Sequence, residues 1–473
     1  ILRLPGFRRA MADGQWGASL RKTLALFSFH LLSASAFPRA QSKCGHVAPK
    51  LFRGRGFVNL RRDGQGVLRD TRHFPKRGGL RAIGKGVQEK PIKYLDHATT
   101  YEIAEKALDA MDHYFATDNA NVHRGAHALA ARATEGYEGA RAKIAQLINA
   151  NEPQEVVFTR SATEAINLLA STWGDKNINE GDEIILSVQE HHSNILPWQH
   201  LARRKKAKIT YIGLNRDYEY DLNQLREALS EKTKLVGICH ASNVLGTLNP
   251  IPEITSMARE FGAVTLIDAA QTMSRSVVDV KSLGCDFLVG SGHKMMGPMG
   301  IGFLWGEYKL LEEMPPWQGG GEMIDEVFLE RSTYALPPGR FEAGTPAIAE
   351  SIGIGAAVDV LVEIGPENVL EKERELGCRL FERLSTIPNL HILGGPKGRL
   401  GVCSFTCDKF SDPKKFAEKI LMKGFRVASG FHEAEPLHPY LGATQGSVRV
   451  SFKIGDRPED VDAFVDAIRN LCE

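Results

Sequence analysis

The 473-residue sequence predicts an α/β protein, with a mostly parallel sheet in a large domain and a smaller α+β domain at the C-terminus. From Tyr94 onward, short apolar runs alternate with amphipathic helical stretches, which is typical of a parallel sheet covered on both faces. After about residue 350 the pattern changes, and a long helical stretch over 350–386 precedes strands that read as antiparallel. The predicted divisions are a leader over 1–90, a large domain over 91–350 and a small domain over 351–473.

The leader differs from the rest of the chain in charge. Residues 1–90 carry 19 Lys and Arg against 4 Asp and Glu, whereas the remaining residues carry 40 against 53. Met11, a basic pair, an apolar run over 24–32 and then small residues follow the layout of a signal peptide. The stretch "SASAFPRA" also resembles the junction of signal and transit peptides in algae with secondary plastids. We therefore predict plastid targeting, with a mitochondrial or cytoplasmic location as the alternative.

Composition excludes several classes of partner. The acidic balance after residue 90 argues against nucleic acid. No segment of 18 or more apolar residues occurs, so we expect no membrane span in the mature protein. The seven cysteines are odd in number and widely scattered, which favours buried thiols in a reducing compartment over a disulfide framework. A small molecule is the expected ligand.

Six apolar segments predict the strands of the parallel sheet. They are "EVVFT" (155–159), "EIILSV" (183–188), "KITYIGL" (208–214), "KLVGICH" (234–240), "AVTLID" (263–268) and "DFLVGSG" (286–292). Polar clusters follow five of these segments. Because ligands of open α/β sheets bind beyond the carboxyl ends of the strands, we expect these clusters to form one site.

The first cluster, "TRSATEAIN", places Ala162 and Thr163 at the start of a predicted helix. Exposed amide groups and the helix dipole make such a position suitable for an anion, most simply a phosphate. An ordinary capping box between Ser161 and Glu164 explains the same residues. Both interpretations stay open on this motif alone.

Two other strand ends indicate the cofactor. Lys294 in "SGHKMMGPMG" lies in a tight turn after a strand, where weak solvation suits a lysine to form a Schiff base. Ser291 and His293 flank it with donors suited to a phosphate. Asp268 ends a buried strand and needs a cationic partner, which a pyridinium nitrogen would supply. Phosphate cradle, lysine and aspartate together predict pyridoxal 5′-phosphate (PLP).

The motifs also resemble those of a known family. "YLDHATT", "NVHRGAHALA", "TRSATEAINLLA", "EHHSNILPWQ", "SNVLGT", "DAAQ", "SGHKMMGPMGIG", "PPWQGGGEMI" and "RFEAGTP" are similar to the successive motifs of group II, SUF-type cysteine desulfurases. These are class V aminotransferases of PLP fold type I. The resemblance runs from about Tyr94 to the C-terminus. It implies a homodimer that converts L-cysteine to L-alanine and passes sulfur to an acceptor protein for iron–sulfur cluster assembly.

The resemblance also implies roles for individual residues. Lys294 would hold the cofactor, and Asp268 would pair with its pyridine nitrogen. His191 would stack on the ring and take part in catalysis, while Gln271 and Asn243 would face its oxygen and the substrate. The phosphate ligands would be Ala162, Thr163, Ser291 and His293, with Thr345 reaching the phosphate of the neighbouring subunit.

Substrate binding is assigned in the same way. Arg449 in "SVRVSF" matches the arginine that clamps the substrate carboxylate, for which its bidentate fork is suited. The alternative for Arg449 is an exposed strand arginine. His123 in "NVHRGAHALA" and Asn243 complete the expected substrate set.

One loop departs from the family pattern. Family members carry the nucleophilic cysteine in a motif like Arg-Thr-Gly-His-His-Cys-Ala-x-Pro-Leu, and here the aligned residues read "ASGFHEAEPL". Glu433 occupies the cysteine position and Ala428 the arginine position. A carboxylate cannot attack sulfur and leave as a persulfide, since that step needs a thiolate. Cys403 and Cys407 lie on a predicted strand away from this loop in sequence.

Several functions therefore stay open. The chain is predicted to be a desulfurase that uses another thiol, a lyase for selenocysteine or cysteine sulfinate, or a PLP enzyme for another amino acid. In these versions Glu433 acts as a general acid or base. A catalytically weak, PLP-binding regulatory paralogue is the alternative from another class. A metal site at this loop is disfavoured, because Pro436 breaks any helix that would align its histidines and acids.

Overall fold

The computed structural model describes residues 92–473, together with the short strands Arg61–Arg62 (β1) and Leu68–Arg69 (β2), which pair antiparallel. The predicted leader over 1–90 lies outside the described residues, apart from these two strands. Among the described residues no helix has the length and apolar character needed to cross a bilayer.

A seven-stranded sheet forms the core of the larger part of the chain. Its strands are Val156–Thr159 (β4), Glu183–Ser187 (β5), Lys208–Ile212 (β6), Thr233–Cys239 (β7), Val264–Asp268 (β8), Phe287–Ser291 (β9) and Gly302–Gly306 (β10). The six predicted strands are confirmed, each within about two residues of its predicted ends. The strand β10 was not predicted.

The sheet is mostly parallel, as expected. Its order is β4-β10-β9-β8-β7-β5-β6, and only β10 runs antiparallel to its neighbours. The strands β5 and β9 are buried along their whole length, which explains why they read as continuous apolar runs. Their carboxyl ends meet at one edge of the sheet.

Helices cover both faces of this sheet. The α-helices of four or more residues in this part are Glu105–His113, Ala128–Leu147, Ala162–Leu169, Leu196–Lys205, Leu222–Ala228, Ile251–Glu260, Val280–Leu283, Tyr308–Glu313 and Ile348–Ile364. Residues at their N-termini determine where several of these helices begin. Ser161 and Asp221 accept hydrogen bonds from amides of the first turn, and Pro197 and Pro252 stand in the first turn, where their missing N–H costs nothing.

A second, antiparallel sheet follows in the C-terminal part. It consists of Leu390–Leu393 (β13), Val402–Cys407 (β14), Ala428–Gly430 (β16) and Ser447–Ser451 (β17), in the order β13-β14-β17-β16. The helices Pro366–Leu384, Pro413–Met422 and Pro458–Cys472 pack on it around a core that includes Phe405, Val450 and Phe464. The short helix Leu437–Tyr440 lies between β16 and β17. The expected α+β arrangement is thus present.

Two features were not expected from the sequence. The helical stretch over 350–386 is two helices, because Gly365 has a φ of +87° and Pro366 begins the second helix. The residues Lys93–Tyr94 (β3) pair in parallel with Phe425–Arg426 (β15), so the start of the predicted large domain packs against the small one. A hairpin of Ile324–Val327 (β11) and Ser332–Tyr334 (β12) stands apart from both larger sheets.

Candidate functional site

A cavity of about 520 Å³ lies beyond the carboxyl ends of the parallel strands. Residues following five strands line it, and residues of β16, β17 and their connecting loop close it from the small domain. The structure brings together Ala162, Thr163, His191, Asn243, Asp268, Gln271, Ser291, His293, Lys294, Glu433 and Arg449, eleven of the thirteen residues predicted for the site. Its volume is within the usual range for ligand pockets, about 300–1,000 Å³.

Lys294 and Asp268 form the buried, charged floor of this cavity. Burial lowers the pKa of Lys294 to about 8, an effect that the nearby Asp268 carboxylate opposes. Burial also raises the pKa of Asp268, against the effects of the Ala270 amide, which donates to its Oδ1 at 2.9 Å, and of Lys294. Each group is less costly to bury when a partner of opposite charge is present.

His191 and Gln271 lie on the walls of the same space. Burial, with the nearby charge of Lys294, lowers the pKa of His191 to about 3, so its ring is neutral at physiological pH. The Ser193 amide donates to His191 Nδ1 at 3.2 Å, which fixes the ring orientation. Gln271 donates from Nε2 to the Ala98 carbonyl at 2.8 Å, so that its amide oxygen is left available.

The N-terminus of the helix Ala162–Leu169 enters the cavity. The Ala162 amide donates to Ser291 Oγ at 2.9 Å, and Thr163 Oγ1 lies 2.7 Å from Ser193 Oγ. His293 lies beside them, and burial lowers its pKa to about 4. Hydroxyls and amides therefore converge at a helix start, which is a geometry suited to a phosphate dianion.

Arg449 is a buried cation on the opposite wall. Its Nη2 donates to Asp96 Oδ1 at 2.8 Å and to Thr99 Oγ1 at 2.6 Å, and its Nη1 donates to the Asn243 carbonyl at 3.1 Å. Its Nε has no hydrogen-bond partner although it is buried. The interpretation of Arg449 as an exposed strand arginine is wrong, since the residue is 3% exposed. Arg449 lines the cavity, so its guanidinium places a positive charge where an anionic ligand could bind.

The loop between β16 and β17 forms the mouth of the cavity. Asn243 Nδ2 donates to the His432 carbonyl at 2.7 Å, and the His192 amide donates to the Glu433 carbonyl at 2.8 Å. The Glu433 carboxylate lies 3.0 Å from His192 Nδ1, and the Glu435 carboxylate contacts His192 Nε2. Behind the mouth, Ser447 Oγ lies 3.0 Å from the Nε2 atoms of both His432 and His438. The described residues contain no group of three or more His, Cys, Asp or Glu that could hold a metal ion.

The residues of the cavity fit PLP. A phosphate matches the helix start with Thr163 and Ser291, and a pyridinium nitrogen matches the buried Asp268, which has only an amide donor to its carboxylate. Lys294, half-buried at the floor of the cavity, supplies an amine whose neutral form is favoured there, because burial lowers its pKa. Each charged or reactive part of PLP therefore has a suitable partner among the residues of the cavity.

Two predicted residues lie elsewhere. Thr345 lines a separate cavity of about 450 Å³ with Arg160, Glu164 and Trp317. His123 has a φ of +62°, and its Nε2 lies 3.0 Å from Glu138 Oε1 on a half-exposed surface. Within one chain, neither of them reaches the cavity of Lys294.

One cysteine of the cavity was missed. Cys239 ends β7 and lines the cavity, but burial and the nearby Glu190 raise its thiol pKa well above the ordinary value. Its Sγ lies 3.1 Å from the Tyr220 hydroxyl. Its place at the carboxyl end of a predicted strand is the signal that could have found it. Cys403 and Cys407 are buried in the small domain and do not line this cavity.

The fold and the site together define a PLP-dependent enzyme of the aminotransferase-like α/β class. Comparison with known families then places the chain more closely. A model of the class-V aminotransferase family matches residues 93–464, and the chain belongs to this family, whose members depend on PLP.

Relatives in sequence carry one recurrent name. The "probable cysteine desulfurase" of Synechocystis sp. is 45% identical over 390 residues, covering 82% of this chain and 92% of the relative. The "cysteine desulfurase" of Salmonella choleraesuis is 41% identical over 392 residues, covering 82% of this chain and 95% of the relative.

Solved structures agree with this placement. The apo cysteine desulfurase of Thermococcus onnurineus superposes with a TM-score of 0.77 at 34% identity, over 80% of this chain and 94% of that one. The cysteine desulfurase CsdA of Escherichia coli gives a TM-score of 0.73 at 34% identity, with the same two coverages. The resemblance seen in the sequence motifs is confirmed at the level of the family.

Proposed function

We propose that this chain is a PLP-dependent, cysteine desulfurase-like enzyme of group II. It breaks the bond from Cβ to sulfur or selenium in L-cysteine or a close analogue and releases L-alanine. One observation carries the proposal: Lys294, Asp268, His191 and Arg449 line a single cavity next to the start of the helix Ala162–Leu169. The similarity to cysteine desulfurases over four-fifths of the chain supports the class of substrate.

Residues from both ends of the cavity would hold the cofactor. Lys294 would attach it, and Asp268 would pair with its pyridine nitrogen. His191 would cover one face of the ring, and Gln271 would face the ring oxygen. Ala162, Thr163, Ser291 and His293 would bind the phosphate at the helix start. Bound PLP acts as an electron sink, so that the proton on Cα of the substrate becomes acidic.

Lys294 and Arg449 act on the substrate. Arg449, the arginine that lines the cavity, binds the α-carboxylate, with Asn243 close beside it. Lys294 removes the Cα proton and returns one to the product. Its pKa near 8 suits this role, because a proton carrier works best when its pKa is close to the working pH.

The cavity offers no activated thiol, which restricts the substrate. Cys239 is the only one of the described cysteines that lines it, and its thiol stays protonated. Cysteine sulfinate and selenocysteine need no attacking thiolate, so they are the substrates expected to give alanine fastest. Glu433 then acts as a general acid or base on the side chain of the substrate.

A second candidate function rests on the same observation. A cavity that keeps its cofactor residues but has no reactive thiol would also fit a PLP-binding regulatory paralogue. This candidate predicts a cofactor spectrum without turnover. If the chain is the proposed enzyme, it should show both the cofactor spectrum and turnover.

Assembly and location are part of the proposal. A homodimer is supported by Thr345, which faces away from the cavity of its own chain, and by the exposed apolar residues Phe328 and Leu329 beside the hairpin. A sulfur-acceptor protein for iron–sulfur cluster assembly is the expected partner. The basic composition of residues 1–90 supports a plastid address. Light scattering tests the homodimer. Imaging of a fusion that carries residues 1–90 tests the plastid address.

One assay tests the function. The PLP-loaded protein is incubated with cysteine, selenocysteine and cysteine sulfinate, with and without a thiol acceptor, and alanine is measured. We expect alanine from at least one analogue. No alanine from any of the three, in a protein with an intact cofactor spectrum, would favour the regulatory paralogue or another amino acid.

A further inference from the structure

Three side chains at the mouth of the cavity, His192, Glu433 and Glu435, form what we call the mouth cluster. Both ring nitrogens of His192 face carboxylates: Nδ1 lies 3.0 Å from Glu433 Oε2, and Nε2 contacts Glu435 Oε2. An ionised carboxylate only accepts hydrogen bonds, and a neutral imidazole has a proton on just one nitrogen. Both contacts are satisfied only when the cluster holds one proton more than a neutral imidazole does. This geometry suits the mouth cluster to hold a proton, and we call it a proton store.

A competing donor does not change this conclusion. The Glu435 amide lies 3.5 Å from His192 Nε2, which is at the outer limit for a hydrogen bond. The carboxylate of the same residue is much closer to that nitrogen. The closer, charged acceptor decides where the proton lies.

The backbone holds Glu433 firmly in place. His432 and Glu433 both have left-handed conformations, with φ values of +53° and +58°. Such a conformation is unfavourable for most residues other than glycine. The hydrogen bonds from Asn243 to the His432 carbonyl and from the His192 amide to the Glu433 carbonyl maintain it. Consecutive strained residues of this kind cluster at functional sites.

Asn243 ties the mouth cluster to the expected carboxylate site. Its side chain binds the His432 carbonyl, and its own carbonyl accepts from Arg449 Nη1. Ala428, at the start of the strand leading into the loop, pairs in register with Arg449. The cation for the substrate carboxylate and the proton store therefore belong to one rigid unit on the same cavity.

The side chains of the mouth cluster can transfer protons but cannot act as the sulfur-accepting nucleophile. Its exposed carboxylates, 69% for Glu433 and 53% for Glu435, exchange protons readily with water. Through them the cluster can pass a proton to a leaving group, but a carboxylate cannot accept a sulfur atom. The thiol of Cys239 does not fill that role either, because the thiolate is the nucleophilic form and burial disfavours it.

We propose that the mouth cluster makes the chain a β-eliminating lyase toward L-cysteine, releasing sulfide, pyruvate and ammonia instead of transferring sulfur and forming alanine. This inference rests on the proposed function, since it uses the same cavity. It adds an activity in which sulfur leaves with the electron pair of its bond.

The reaction is balanced without an oxidant or a reductant. Lys294 takes the Cα proton, and the electrons of that bond form the Cα–Cβ double bond. The Cβ–S bond breaks with its pair on sulfur, and the departing hydrosulfide takes the proton of the mouth cluster through Glu433. Water then hydrolyses the released 2-aminoacrylate to pyruvate and ammonia. Lys294 loses its proton to solvent, and the cluster regains one from solvent.

The products separate this reaction from the alanine-forming one. The PLP-loaded protein is given L-cysteine without any thiol acceptor, and, in parallel, L-cysteine sulfinate. We expect pyruvate, ammonia and sulfide in equal amounts from L-cysteine, no sulfur added to the protein in its intact mass, and alanine from the sulfinate. Alanine as the main product of L-cysteine would overturn the inference and leave the proposed function standing. Alanine from the sulfinate, with no product from L-cysteine, would likewise overturn the inference and leave the proposed function standing. No product from either substrate would overturn both.

Variants test the proton store itself. Glu433→Gln removes the donor, so pyruvate formation from L-cysteine should fall about 10²–10⁴-fold. The matched control is Glu363→Gln, an exposed carboxylate paired with Lys106 and far from the cavity in sequence. Glu433→Cys should move the product of L-cysteine toward alanine and leave one sulfur atom on the protein. A Glu433→Gln protein that makes pyruvate as fast as the control would contradict the inference.

A readout independent of turnover completes the test. The ring ¹⁵N signals of His192 are assigned from their loss in His192→Asn and measured with and without PLP. Protonated signals for both ring nitrogens are expected in the native protein, and loss of one in a Glu433→Gln, Glu435→Gln double variant. A single protonated nitrogen in the native protein, with neither carboxyl group protonated, would overturn the proton store.

Discussion

His192 Nδ1 lies 3.0 Å from the carboxylate of Glu433, so a histidine beside the cofactor cavity contacts the residue that replaces the expected nucleophile. The contact joins two loops more than 240 positions apart in the chain. Under the proposal above, this contact lets the loop supply a proton at the position where the family motif predicts a thiol. Most of the expectations below concern this cavity and the charges in it.

Glu433→Gln should hardly change stability. The side chain is 69% exposed, and exposed ion pairs contribute about 0–1 kcal/mol. We expect the free energy of unfolding in urea to change by less than about 1 kcal/mol. A larger loss would mean that any drop in turnover reports folding and not chemistry.

Lys294→Ala should abolish turnover and the absorption band of the attached cofactor. Lys294 is the buried amine of the cavity, and the described residues that line the cavity include no other lysine. Lys397→Ala, at an exposed lysine paired with Asp217, is the control and should keep both. Visible absorption and alanine release measure the two effects. A cofactor band that survives in Lys294→Ala would assign the attachment to another residue.

The rate at which the cofactor-free protein captures PLP should depend on pH in a defined way. Burial lowers the pKa of Lys294 to about 8, and only the neutral amine attacks an aldehyde. Below 8 the neutral fraction grows about tenfold per pH unit, and above 8 it levels off. Stopped-flow absorbance across a pH series that brackets 8 tests this. A rate still climbing near 10, where an ordinary lysine titrates, would place Lys294 in water.

Asp268→Asn should impair the loaded enzyme strongly. The change leaves the pyridinium nitrogen without its buried anion, and breaking one partner of a buried charged pair costs about 3–5 kcal/mol. We expect turnover to fall by about two to three orders of magnitude, with alanine release as the measurement. Asp217→Asn, the same change at an exposed carboxylate, should leave turnover as it was. Equal turnover in both variants would remove Asp268 from the cofactor site.

Arg449→Lys should mainly weaken substrate binding. Lysine keeps the charge but loses the fork, and hydrogen bonds to charged groups contribute about 1.5–3 kcal/mol. The KM for the amino acid should rise about 10–100-fold, with a smaller change in kcat. Arg379→Lys, at an exposed arginine paired with Asp462, is the control. A fall in kcat alone would assign Arg449 to catalysis or to structure.

The sequence predicted the large sheet well because buried parallel strands read as unbroken apolar runs. β5 and β9 are fully buried, and no competing pattern obscured them. The break at Gly365 was missed, since the helical period continues across it and only the positive φ shows the turn. The pairing of Lys93–Tyr94 with Phe425–Arg426 joins segments far apart in the chain, and no local pattern encodes it.

The site was predictable where each residue follows a strand. Lys294, Asp268 and His191 could be placed from the rule that ligands bind at carboxyl ends of strands. The contacts of His192 with Glu433 and Glu435 could not, because they depend on how the small domain folds over the large one. The raised pKa of the Cys239 thiol comes from burial and from the nearby Glu190, which lies in the loop after another strand. The domain boundaries over 91–350 and 351–473, and the roles of all thirteen predicted site residues, stay predictions.

The most direct test of the central claim is the alanine formed from L-cysteine sulfinate and L-selenocysteine by the PLP-loaded protein. We expect alanine in proportion to the protein added, and none from Lys294→Ala. A protein that shows the band of attached cofactor but forms neither alanine nor pyruvate from these two substrates or from L-cysteine would contradict the claim that this cavity cleaves the bond from Cβ to sulfur or selenium.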